Sequence, residues 1–127
     1  MAVDKRTPIL VVDDYKTMVR IVRNLLNQLG FQDVDEANDG ASALAKLRAR
    51  RFGLVISDWA MEPMNGLELL QQVRADPELK TLPFIMITAE NRRDRVAKAE
   101  QAGVDGYIVK PFTAEALNDR IARVMGG

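Results

Sequence analysis

Short runs of apolar, mostly β-branched residues alternate along the chain with stretches that carry a helical repeat. This alternation constrains the fold more than any other feature of the sequence. Four runs are continuous: Ile9 to Val12, Leu54 to Ser57, Phe84 to Thr88 and Tyr107 to Val109. Continuous apolar runs suit strands covered on both faces. A fifth segment, Val34-Asp35-Glu36-Ala37, is more polar, as an edge strand can be. Between the first two elements, Met18, Ile21, Val22, Leu25, Leu26 and Leu29 fall on one helix face, and Gly30 ends that helix. Asp39-Gly40 precedes an Ala- and Leu-rich helical stretch reaching Arg51. Gly66 precedes another, with Leu67, Leu70 and Val73 inward and Pro77 as its stop. Asn91 to Ala102 holds good helix formers but a weak apolar stripe. Thr113 reads as the N-cap of a last helix with Leu117, Ile121 and Val124 inward. Five β-α units predict one α/β domain: a parallel sheet, right-handed crossovers and helices on both faces. The pattern leaves the strand order open.

With 127 residues there is enough chain to bury one sizeable core. Eighteen basic residues balance eighteen acidic ones, so no long-range field favours nucleic acid or anionic lipid, and no DNA partner is expected. The apolar runs are too short to span a bilayer and no signal-peptide pattern opens the chain, which predicts a soluble, cytoplasmic protein without membrane insertion; a monomer is expected. Cysteine is absent, which removes disulfides, thiol nucleophiles and Cys-ligated metals. Histidine is absent too, removing the commonest general base and transition-metal ligand.

The carboxyl ends of the predicted strands are polar, and that is where open α/β sheets bind ligands. Asp13 and Asp14 follow the first strand, Asp58 ends the third, Thr88 ends the fourth, and Lys110-Pro111 follows the fifth. Taken singly, each has a plain structural reading: Asp13, Asp14 or Asp58 as a helix cap, Thr88 as a strand residue, Lys110 as a solvated charge. Together they describe one crevice. Three carboxylates placed side by side raise one another's pKa values unless a cation compensates. Oxygen ligands without His or Cys select a hard ion, and few protein ligands without a long oxygen-rich loop favour Mg²⁺ over Ca²⁺. Such a site suits phosphoryl transfer, with a carboxylate as acceptor, Lys110 neutralising the transferred group and Thr88 hydrogen-bonding it.

Val11-Val12-Asp13-Asp14, Ser57-Asp58-Trp59, Thr88-Ala89 and Lys110-Pro111-Phe112 together resemble the signature of response-regulator receiver domains, over essentially the whole chain. Val55 to Trp59 and Met64 to Leu70 resemble the single-domain chemotaxis receivers in particular. The resemblance implies a flavodoxin-like doubly wound sheet of order 2-1-3-4-5, spanning residues 1–127 with no effector domain. It also implies phosphorylation on Asp58 by a histidine kinase, with Asp14, Asp58 and the backbone carbonyl of Ala60 on Mg²⁺ and Asp13 acting mainly through water. Lys110 would bind a phosphoryl oxygen across a cis bond to Pro111, Thr88 would move toward the phosphoryl group, and Tyr107 would turn inward behind it. That shift would reshape the face made by the fourth helix, fifth strand and fifth helix.

Two departures from the family pattern stand out. The usual Met-Pro is here Met61-Glu62-Pro63, and Ala60 stands where relatives often carry Asn, so Ala60 and Glu90 become candidates for tuning hydrolysis. The expected role is a signalling protein that catalyses only its own phosphorylation and dephosphorylation and then contacts a target. By resemblance that target is the flagellar motor switch. A phosphate sink or a relay intermediate would present the same residues. An aspartyl-phosphate hydrolase of the haloacid-dehalogenase type would carry Asp-x-Asp after the first strand, whereas Asp13 is followed by Asp14 and Tyr15. A module insensitive to phosphorylation would not need all five site residues. Arg92, Arg93 and Arg95, with Lys98 one turn on, read as a solvated helix face moderated by Asp94 and Glu100, or with Tyr107 as a partner face for an acidic protein or an anionic nucleotide.

Overall fold

The structure is a computed structural model that describes residues 3–89 and 93–126. Its strands are β1 (Ile9–Val12), β2 (Val34–Ala37), β3 (Leu54–Asp58), β4 (Phe84–Thr88) and β5 (Gly106–Val109). They alternate with α1 (Lys16–Gln28), α2 (Gly40–Ala49), α3 (Gly66–Ala75), α4 (Arg93–Gln101) and α5 (Ala114–Met125). All neighbouring strands are parallel, in the order β2-β1-β3-β4-β5. The chain leaves β1 for one side of the sheet and returns to the other, so the crevice between the carboxyl ends of β1 and β3 is the switch point of the topology.

Successive residues of a strand point to opposite faces, and the core divides accordingly. Ile9, Val11, Leu54, Ile56, Ile85 and Ile87 pack under α1 and α5, against Val19, Val22, Leu26, Leu117 and Ile121. Leu10, Val12, Val55, Phe84 and Met86 pack under α2, α3 and α4, against Leu44, Leu47, Leu69, Leu70, Val73 and Ala99. Each central strand is therefore buried on both sides, as its continuous apolar run requires.

Helix ends explain themselves locally. Gly30 closes α1 at φ +100°, a left-handed position that other residues adopt only with strain. Asp39 and Thr113 cap α2 and α5 through Ser42 N–H and Ala116 N–H. α3 begins with a capping box in which Asn65 accepts from Glu68 N–H at 2.8 Å and Glu68 accepts from Asn65 N–H at 3.1 Å. α2 stops at Ala49, because Arg50 is extended, two residues before the expected Arg51. The expected α4 start at Asn91 lies outside the described residues. Ile21, expected inward, is 46 % exposed: the buried stripe of α1 centres on Val19, Val22 and Leu26 and leaves Ile21 on its edge.

Candidate functional site

Four strand ends deliver the polar residues to one crevice. β1 runs directly into Asp13, whose N–H donates to Ala37 O on β2 at 3.1 Å. Asp13 is 4 % exposed, and one of its oxygens accepts from Tyr15 N–H at 3.0 Å, two residues on. Asp14 is exposed. α1 has no side-chain cap, so neither carboxylate is used as the first residue of that helix's cap. β3 ends in Asp58, 7 % exposed, and carboxylate oxygens of Asp13, Asp14 and Asp58 all lie within 4.8 Å of one another. Opposite them, Lys110 Nζ stands 3.1 Å from Asp58 Oδ1 and 3.9 Å from Asp13 Oδ2. Thr88 is buried at the end of β4, and its carbonyl accepts from Lys110 N–H at 2.7 Å, which ties the lysine's main chain to the strand beside it.

Burial dominates the electrostatics of Asp13 and pushes its carboxyl from 3.8 up to about 6. The Tyr15 N–H and the Lys110 ammonium oppose that rise, while the charges of Asp58 and Asp14 add to it. One ammonium thus leaves three clustered carboxylates short of positive charge. A hard divalent cation fits this donor set of oxygens. The chemistry open to the crevice is to hold such an ion and to neutralise an anionic group delivered to Asp58.

Main-chain hydrogen bonds tie down the segment after Asp58. Trp59 N–H donates to Ile87 O at 2.9 Å, and Trp59 O accepts from Gly66 N–H at 2.8 Å and from Met61 N–H at 3.1 Å. Gly66 packs so closely that a Cβ there would overlap Asp58 O and stand 2.7 Å from Met86 Sδ, so only glycine fits at the start of α3. Ala60 is exposed between buried Trp59 and Met61. The Lys110–Pro111 bond is cis, as the resemblance implies, and Glu62–Pro63, at the displaced proline, is cis as well.

The remaining candidates scatter. Ala89 is exposed next to Thr88, and Tyr107 is half-buried on β5, packed toward the α2, α3 and α4 side. Glu90 and Arg92 lie outside the described residues, as does the side chain of Arg93. Arg95 is half-buried and not part of a solvated face: its guanidinium lies over the Trp59 ring, 5.4 Å from the centroid. Sequence reading missed this contact and the capping box. The box had a signal in Asn65-x-x-Glu68, whereas the contact joins two separate β-α units and had none.

The fold and the crevice define a class, the receiver built on a flavodoxin-like sheet. Residues 9–122 match the response regulator receiver domain, and the chain belongs to that family. Chemotaxis protein CheY-3 of Vibrio cholerae is 51 % identical over 121 residues, covering 95 % of this chain and 93 % of that protein. Chemotaxis protein CheY of Pseudomonas aeruginosa is 51 % identical over 116 residues, covering 91 % and 94 %. Among solved structures, chemotaxis protein CheY4 of Vibrio cholerae superposes with a TM-score of 0.88 at 34 % identity, covering 94 % of this chain and 99 % of that one. This is a CheY-like receiver of the two-component type. No helix among the described residues is long and apolar enough to cross a membrane.

Proposed function

We propose that the chain is a phosphorylation-operated switch in which Asp58 accepts a phosphoryl group from a histidine kinase. The observation that carries this reading is the approach of Lys110 Nζ to 3.1 Å from Asp58 Oδ1 beside the three clustered carboxylates. An oxygen of Asp58 forms the new P–O bond as the donor's P–N bond breaks, and the leaving imidazole takes the bonding electrons. Asp14, Asp58 and the carbonyl of Ala60 would hold Mg²⁺, with Asp13 acting through water; the ion supplies neutralisation of the phosphoryl oxygens. Lys110 neutralises a further oxygen. Its main-chain bond to Thr88 O fixes the base of its side chain, so the ammonium needs little reorganisation during transfer. Thr88 donates its hydroxyl to the transferred group, and Tyr107 on the adjacent strand follows it inward.

Output is by protein contact. Two chemotaxis relatives at 51 % identity support a target in flagellar control. Side chains at Ala60 and Glu90 would set the lifetime of the acyl phosphate by orienting or excluding water. The decisive experiment incubates the protein with Mg²⁺ and a phosphorylated kinase or an acyl phosphate. The parent should acquire one Mg²⁺-dependent phosphoryl group and Asp58→Asn none, since an amide is no nucleophile here. Equal labelling of the two proteins would move the chemistry away from Asp58.

A further inference from the structure

Trp59 follows the acceptor Asp58 directly, and its main chain is bonded to β4 through Ile87 O and to the first turn of α3 through Gly66 N–H. Trp59 is 7 % exposed, and its ring reaches a third element: the Arg95 guanidinium on α4 lies 5.4 Å from its centroid. A cation at this distance from an indole face is attracted by the ring quadrupole, and the planar guanidinium can also stack on it. On α4, Arg95 sits one turn before Ala99, the buried residue among that helix's described side chains. Arg95 therefore occupies the inward face of a helix that has few apolar anchors. One residue beside the acceptor thus joins β3, β4, α3 and α4.

We propose that Arg95 is a positioning residue for the site: by holding the Trp59 ring it holds the segment that presents Ala60 beside Asp58, and it links occupancy of the site to the placement of α4. This rests on the reading of the crevice as a Mg²⁺ and phosphoryl site. Coupling between two sites is reciprocal. A rearrangement at Asp58 that moves Trp59 loosens or tightens α4, and a protein that engages α4 changes the affinity of the crevice for its ion.

The test uses the full chain and the variants Arg95→Ala and Arg95→Lys. Trp59 is the sole tryptophan, so acrylamide quenching without metal reads its cover directly. Quenching should increase in Arg95→Ala and fall between the two in Arg95→Lys, which keeps the charge but loses the planar stack. Calorimetric titration with Mg²⁺ should then show affinity reduced by about fivefold in Arg95→Ala, the loss expected for one partly buried cation–π contact. Removing a positive charge would by itself strengthen cation binding, so a weaker affinity reports positioning and not charge. Unchanged quenching, or a Mg²⁺ affinity that is equal or higher in Arg95→Ala, overturns the proposal. Failure of the parent to bind Mg²⁺ brings down the reading of the crevice together with this inference, whereas a binding parent and an indifferent variant overturn this inference alone.

Discussion

Asp13 is the residue where burial and the neighbouring carboxylates act together against ionisation, with Lys110 and the Tyr15 N–H opposing them. Its carboxyl is raised to about 6 in the folded protein, chiefly by burial, from 3.8 in free solution. It ionises more readily unfolded than folded, so the folded state is fully stable toward this group below about pH 4 and loses stability as pH rises through about 6. At pH 7 the loss is at most about 3 kcal/mol. Asp13→Asn keeps an oxygen for Tyr15 N–H and removes the charge. Without metal it should therefore be more stable than the parent at pH 7.5, with the difference vanishing near pH 4. Urea unfolding at the two pH values checks this; a variant less stable at pH 7.5 would contradict it. The same proton must leave before a cation uses the carboxylate, so Mg²⁺ affinity should fall as pH drops through about 6.

At the scale of the element, α3 connects stability to the site. Its capping box satisfies two main-chain donors at the helix start, and Asn65→Ala should cost about 1 kcal/mol, read as a lowered urea midpoint with the slope unchanged. Gly66→Ala places a methyl against Asp58 O and Met86 Sδ and should cost about 2 kcal/mol or more. It should also shift Asp58 and impair phosphorylation, which Asn65→Ala should largely preserve. The helical face of α3 was legible from Leu70 and Val73, and its glycine was visible in the sequence. The reason for the glycine was not, because it is the closeness of β3 and α3 in space. α4 illustrates the opposite case: its weak apolar stripe was legible as such, and the contact that helps hold it, Arg95 on Trp59, comes from another β-α unit.

For the molecule as a whole, the sheet separates two cores that share no side chains. Leu26→Ala under α1 and Leu69→Ala under α3 each remove a side chain with no solvent exposure and should each cost about 3 kcal/mol. Their effects should add to within about 0.5 kcal/mol in the double variant, because the sheet lies between them. Calorimetric or urea unfolding of the four proteins measures the sum; strong non-additivity would mean that the sheet transmits strain from one face to the other. The sequence by itself determined the five strands, the five helices and the polar strand ends, since the side-chain periods of strand and helix are set by local backbone geometry and show within short windows of chain. It determined by resemblance the order β2-β1-β3-β4-β5, which the apolar pattern alone left open. Only the tertiary structure decided that Ile21 lies at the edge of its stripe, that Lys110 reaches Asp58, that burial raises the carboxyl of Asp13, and that Arg95 covers Trp59. Each of these depends on distances between segments remote in the chain, and those distances are set by how the crossovers pack on the sheet.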